Sequence, residues 1–381
     1  MKPKVLFTAS RASHLIRFHR PYLRYFHQHG YEVHTLSQGA AFLPEIDHSF
    51  DLPFVKKPWS PTNLQTLKRL ISTIRAERYH TIICNATLAG LLTRIAVKYS
   101  GIPVARVIYI SHGYLFSDNH SISSWCKRQF EKVASDAVDK LLVMNGEDFQ
   151  IAQKYRLAKS IDQIPGMGLC TELFPQLSPV ALLEERKKYG YSITDFILLS
   201  VGEFSRRKNQ LQLLKAMTLL SDLPQLKVLL VGDGALLEDC RRFVDNANLS
   251  ETVLFAKEQD NLNRIYRFSD ALISTSRSEG LPFNIMEALY CGLPILATRV
   301  KGHCDLLQDR INALLFEPDS PEELAQTIRR LYLDRTFYQR LQEHTSLPQK
   351  YQIDQVLPIV VEQYGIPVSS VTKIPSMEVS I

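Results

Sequence analysis

Ser276–Val300, SRSEGLPFNIMEALYCGLPILATRV, decides how the rest of the chain is read. It divides into a loop ending at Glu279-Gly280, a helix opened by Pro282, a break at Gly292-Leu293-Pro294 and a buried strand from Ile295 to Thr298. Proline suits a helix's first turn, where its missing N–H would have no intrahelical partner. Gly292 stops the helix and Pro294 prevents it from restarting. The first N–H groups of such a helix carry partial positive charge, so Gly280, Leu281 and Pro282 frame a place for a phosphate. Glu279 precedes the helix and Glu287 sits in its second turn, a layout that sets an anionic leaving group between two carboxylates able to grip hydroxyls.

Outward from this stretch the pattern repeats. Apolar runs at Phe196–Val201, Lys227–Val231, Thr252–Phe255 and Ala271–Ser274 predict strands, separated by helices at Gln210–Leu220, Ala235–Asn246 and Leu262–Ser269. Upstream, strands are expected at Lys4–Ala9, Tyr31–Leu36, Thr81–Cys84, Val104–Ile110 and Lys140–Met144. Helices are expected at Leu15–His29, Leu64–Arg78, Leu88–Tyr99 and Ser123–Ala137. Strands alternating with helices of this length indicate α/β architecture, a parallel sheet covered on both faces. Ile164–Leu177 (IPGMGLCTELFPQL) interrupts the alternation with glycines and prolines and reads as a linker between two doubly wound halves. Such halves bind ligands at the carboxyl ends of their strands. Pro321–Leu333 and a weaker helix near Gln352–Tyr364 close the chain, and the tail Gly365–Ile381 is expected to be disordered.

The 381 residues suffice for two ordinary domains, and 45% hydrophobic against 22% charged residues is a globular balance. No apolar run reaches the ~18 residues of a membrane span, and MKPKVLFTAS lacks the apolar core of a signal peptide. Six scattered cysteines without a C-x-x-C pair argue against zinc or a disulfide framework and for a reducing cytoplasm. Charge is uneven. Residues 1–180 hold 22 Lys and Arg against 13 Asp and Glu, the remainder 23 against 26. Arg11, His14, Arg17, His19, Arg20, Arg24, His27 and His29 crowd one short segment of the basic half, which suits an anionic membrane leaflet or a phosphorylated lipid. Nucleic acid is a poor fit, because the basic residues are not interleaved with an aromatic platform.

Three further segments carry chemistry. In Val201-Gly202-Glu203-Phe204-Ser205-Arg206-Arg207-Lys208-Asn209 a buried strand enters a basic loop, where Lys208 can neutralise a diphosphate. Val231-Gly232-Asp233-Gly234 is a strand followed by a glycine turn that brings backbone close to a ligand. Ser111-His112-Gly113-Tyr114 puts a histidine at the carboxyl end of the strongest strand of the first half.

The string S-E-G-L-P-x-x-x-x-E-A-x-x-x-G-x-P-I resembles the E-x7-E signature of family 4 glycosyltransferases, and the likeness extends over nearly the whole chain. It is densest from Val201 to Asp305. The first half resembles the branch that builds bacterial capsule or exopolysaccharide repeat units. The resemblance implies a GT-B fold: an acceptor-side Rossmann-like domain over residues 1–177, a nucleotide-sugar domain over 178–345, and a crossover helix over 346–364 returning to the first domain.

It also implies transfer of a hexosyl unit from a nucleotide-diphosphate sugar, UDP-linked by preference, to a lipid-linked acceptor such as a polyprenyl-diphosphate saccharide, with retention. Lys208 would match the family's diphosphate-binding lysine, whereas Glu203 stands where the family has an arginine, leaving Arg206 or Arg207 to supply that charge. Glu287 would hold ribose hydroxyls, Glu279 the sugar, and His112 would orient the sugar from the first half. Gly202 and Gly232 would line the nucleotide. With no D-x-D motif, no metal or other cofactor is expected. The Thr8–Ser13 turn (TASRAS) is a candidate to approach donor or acceptor, His14 and Arg17 to face an acceptor phosphate, and Lys257–Leu262 to touch the base. Asp305 replaces a family glutamate. The enzyme would work in the cytoplasm at the inner face of the plasma membrane, alone or in a homo- or hetero-oligomer. Two rivals share these features: another GT-B enzyme such as a sugar-nucleotide epimerase, and a non-catalytic subunit that binds nucleotide sugar.

Overall fold

A computed structural model of the chain describes residues 2–55, 60–114, 116, 121–257 and 262–366. The chain forms two compact units. The first runs to Gly168 and takes in the helix Ile353–Gln363; the second runs from Leu169 to Gln352. The division therefore falls at residues 168/169 and not at 177/178. The glycine- and proline-rich segment after Gly168 packs on the second unit, where Leu169 N–H donates to the Tyr351 carbonyl at 2.8 Å and Asn263 Nδ2 to that of Leu173 at 2.6 Å.

Among the described residues the first unit holds seven strands: β1 (Lys4–Arg11), β2 (Glu32–Gln38), β3 (His48–Asp51), β4 (Thr81–Asn85), β5 (Arg106–Ser111), β6 (Lys140–Val143) and β7 (Ser160–Gln163). They form a parallel sheet in the order β3-β2-β1-β4-β5-β6-β7. The second unit holds β8 (Phe196–Val201), β9 (Leu226–Val231), β10 (Val253–Ala256), β11 (Ala271–Ser274), β12 (Ile295–Thr298) and β13 (Ala313–Phe316), also all parallel, in the order β10-β9-β8-β11-β12-β13. Central strands β4, β8, β11 and β12 are buried along their whole length, as strands covered on both faces must be, which is why they read as unbroken apolar runs.

In each sheet the chain reverses its direction of spread once, between β1 and β4 and between β8 and β11. At such a switch point the connections leave on opposite sides and open a crevice at the strands' carboxyl ends. The segments that follow β1, β5, β8 and β11 carry most of the residues singled out in the sequence.

Three expectations change. TASRAS is not a turn: β1 continues to Arg11 and a helix, Ala12–Gln28, begins at once. Pro282 is not in the first turn of its helix but caps it in extended conformation (φ −79°, ψ 118°), the helix being Phe283–Cys291. Gly365 and Ile366 are ordered, Ile366 being buried with its N–H bonded to the Val361 carbonyl; the rest of the tail lies outside the described residues. Residues 258–261 of the base-facing loop lie outside them too. Among the described residues no helix is long and apolar enough to cross a membrane.

Candidate active site

In the second unit, the loop after β8 and the loop after β11 are strapped together. Arg277 N–H donates to the Arg207 carbonyl at 2.8 Å, Arg277 Nη1 to the Arg206 carbonyl at 2.7 Å, and Thr275 Oγ1 to the Lys208 carbonyl at 3.0 Å. This register brings three predicted site residues into one cluster. Lys208 Nζ lies 2.7 Å from Glu279 Oε1, and Arg207 Nη1 donates to Glu279 Oε2 at 2.8 Å. Glu279 is only 8% exposed. Burial pushes its carboxyl pKa up, but the adjacent Lys208 and Arg207 outweigh that and hold it down at about 2. Arg206, by contrast, is exposed.

The glycines serve close packing. A Cβ on Gly232 would stand 2.2 Å from the Gly202 carbonyl oxygen, so the turns after β8 and β9 lie backbone against backbone. Gly202 in turn lies under the Lys208 side chain, with Cε 3.2 Å from where a Cβ would be. What Gly232 admits at close range is the neighbouring turn. Gly302 similarly presses on the Gly280 carbonyl, and Asp305 accepts from Gly302 N–H at 2.9 Å, capping its own short helix. Leu281, two residues after Glu279, is buried.

Glu287, 4% exposed, accepts a 2.6 Å hydrogen bond at Oε2 from the Tyr266 hydroxyl. Tyr266 was not singled out from the sequence; only the packing of Leu262–Phe268 beside Phe283–Cys291 reveals it. His303 was also missed. It is wholly buried and ties strand ends together: Nδ1–H donates to the Thr298 carbonyl at 2.8 Å and Nε2 lies 3.1 Å from Ser274 Oγ. Burial lowers its pKa to about 4 although Glu279 opposes this, so the ring is neutral. Its signal in the sequence was its place next to Gly302 after a strand end. Glu203 is half-buried in the same β8 loop, its carbonyl accepting from Gln210 Nε2 at 3.1 Å.

His112 belongs to the first unit. It follows β5, and its Nε2 lies 3.2 Å from Nε2 of His14, at the start of the helix after β1. His19, one turn further along that helix, completes a cluster of three imidazoles. The sequence assigned His14 and His112 separate partners; the structure puts them side by side. Arg17, on the same helix, lies 5.5 Å from the Phe18 ring.

A half-buried lysine and arginine sharing one carboxylate, at a switch point, can bind and neutralise an anionic diphosphate while a second buried carboxylate, Glu287, stands on the adjoining helix. Comparison with known proteins places the chain in a family. Residues 183–346 match the family model for glycosyl transferases group 1. EpsD of Bacillus subtilis (strain 168), named as a glycosyltransferase, is 30% identical over 335 residues, covering 87% of this chain and 88% of that one. The Escherichia coli UDP-Gal:alpha-D-GlcNAc-diphosphoundecaprenol alpha-1,3-galactosyltransferase is 25% identical over 280 residues, 72% of this chain and 71% of its own. Sucrose-phosphate synthase from Thermosynechococcus elongatus superposes with a TM-score of 0.79 at 17% identity, over 96% of this chain and 98% of that one, a likeness of GT-B fold. With two parallel-sheet Rossmann-like domains and a relative 30% identical over 87% of this sequence, the chain belongs to the group 1 glycosyltransferases.

Proposed function

We propose that this chain is a retaining hexosyltransferase that moves a sugar from a nucleoside-diphosphate donor, with UDP as the favoured nucleotide, to a polyprenyl-diphosphate-linked saccharide in capsule or exopolysaccharide assembly. The observation that carries the reading is the cluster of Glu279, Lys208 and Arg207 at the carboxyl ends of β8 and β11. Lys208, with Arg207 and the exposed Arg206, takes the diphosphate; charge developing on the leaving group is then met by fixed cations. Glu287 holds the ribose hydroxyls, and Tyr266 fixes its carboxylate. Glu279 contacts the sugar and favours the positive charge developing at C1, and His112 is the residue that the family resemblance assigns to orienting it.

As the acceptor oxygen bonds to C1, the bond from C1 to the diphosphate breaks, and the acceptor's proton passes to a departing phosphate oxygen. The protein then needs no separate general base. The named activity of the Escherichia coli relative, on a UDP-sugar and a diphosphoundecaprenol-linked acceptor, supports the choice of donor and acceptor class. The basic first half supports work at the inner face of the plasma membrane.

Thermal unfolding with UDP, GDP or ADP tests the donor site. A nucleotide that binds the folded protein alone stabilises it by about 2.7 kcal/mol at a hundred times its Kd. UDP is expected to raise Tm in the wild type and to lose that effect in Glu287→Ala. No response to any of the three nucleotides overturns the reading.

A further inference from the structure

His14, His19 and His112 each offer a ring nitrogen, and these nitrogens lie within 4.8 Å of one another. The His14 and His112 Nε2 atoms are 3.2 Å apart. Ring centroids are separated by 4.5 Å for His14 and His112, 5.3 Å for His14 and His19, and 5.6 Å for His19 and His112. A tetrahedral zinc ion with Zn–N bonds of about 2.0–2.1 Å spaces its imidazole nitrogens about 3.3 Å apart and their ring centroids about 5 Å apart. The closest nitrogen pair already has that spacing, and the three centroid distances bracket the second.

His19 supplies an independent observation. It is fully buried, and neither of its ring nitrogens has a hydrogen-bond partner. An imidazole withdrawn from water with both nitrogens unpaired is costly, and such groups are rare without an unseen partner. A hydrogen bond between His14 and His112 accounts for those two rings and leaves His19 unexplained; an ion shared by all three accounts for each.

The other cluster of this kind among the described residues, Glu32, His34 and Glu77, is already served from within: Lys4 Nζ lies 2.6 Å from Glu77 and 3.3 Å from Glu32, and His34 Nε2 2.8 Å from Glu32. No such cation reaches the three histidines in the described structure.

We propose that His14, His19 and His112 form a binding site for one divalent transition-metal ion of the zinc class. Three imidazoles without a carboxylate favour zinc, cobalt, nickel or copper over magnesium or calcium. His14 and His112 are half-buried whereas His19 is sealed, so an ion would enter from the His14 and His112 side and keep a coordination position for water or another ligand. The inference shares His112 with the sugar contact proposed above, but its test reads the ion directly and involves no nucleotide.

The test is titration of chelator-stripped, full-length protein with Co2+, followed by its visible absorption, and then displacement with Zn2+. One equivalent of Co2+ is expected to give a saturable low-symmetry band that Zn2+ abolishes. His14→Ala and His19→Phe are expected to weaken Co2+ binding at least tenfold, and Glu77→Gln, at the other cluster, to leave it unchanged. Circular dichroism identifies the variants that keep the fold. If His19→Phe does not, His14→Gln, at a half-exposed position, carries the comparison. Absence of a one-equivalent band, or a band of unchanged affinity in folded His14 variants, overturns the proposal.

Discussion

Lys208 Nζ and Glu279 Oε1 stand 2.7 Å apart with both side chains largely withdrawn from solvent. Burial alone would raise the Glu279 pKa, yet Lys208 and Arg207 bring it from the ordinary 4.5 to about 2. A carboxyl with a depressed folded-state pKa contributes stability above its unfolded value and loses it as pH falls through the folded one. The window here runs from pH 4.5 down to about 2. The ionised group is worth roughly 3 kcal/mol at neutral pH. Glu279→Gln should therefore cost on that order at pH 7, with the gap to wild type closing on acidification, as chemical denaturation across pH will read. A gap independent of pH would contradict it.

The 2.6 Å bond from Tyr266 to Glu287 gives a second variant. Tyr266→Phe removes a donor from a buried carboxylate, a loss of about 1.5–3 kcal/mol for a bond to a charged group. The UDP-induced rise in Tm should shrink as well, though less than in Glu287→Ala.

Arg94 is fully buried in the first unit, with Nη2 2.8 Å from Glu131 Oε2 and its guanidinium 4.0 Å over the Tyr109 ring. Glu131→Ala leaves that cation without its counter-charge and should cost about 3–5 kcal/mol in urea unfolding. Glu131→Gln, which keeps an acceptor, should cost less.

Gly232→Ala sets a Cβ 2.2 Å from a backbone oxygen at a φ of +148°. Relief requires the β8 and β9 turns to separate, so a loss of at least about 2 kcal/mol is expected. The UDP response should fall with it, since Lys208 crosses Gly202.

The basic first half predicts binding to anionic vesicles that weakens as salt is raised, because surface charges are screened over about 10 Å at 0.1 M salt. Co-sedimentation with phosphatidylglycerol vesicles at increasing salt checks this. Salt-independent partitioning would count against a charge-driven contact.

The sequence was most legible where burial is complete. β8 and β11 and the helix Pro321–Leu333 begin and end where apolar runs meet Gly, Pro or polar residues. β3 and β7 escaped notice because they are sheet edges of four half-exposed residues, HSFD and SIDQ, with no apolar run to mark them. Gly146–Tyr155 was missed although Asn145 caps it through Asp148 N–H at 2.8 Å, a polar signature without a long apolar stripe. At the site, the types and loops of Glu279, Glu287, Lys208 and His112 were readable from motif and position. Their partners were not. Arg207 meets Glu279 only because β8 lies beside β11, and His14 meets His112 only because the helix after β1 and the loop after β5 converge; neither follows from local spacing.

The helix Ile353–Gln363 lies at the far end of the chain yet belongs to the first unit, where Val356, Leu357, Val360 and Val361 are buried and the following Tyr364 packs 5.8 Å from both Tyr22 and Phe26. A ribosome therefore delivers the whole second unit before the piece that completes the first. Domains usually finish in the order in which they are synthesised; here the first to emerge must be the last to close. Until that helix has emerged, Tyr22 and Phe26 lack its cover, so a nascent or truncated chain ending before Ile353 would present an apolar surface to chaperones and proteases while its second unit was already sound.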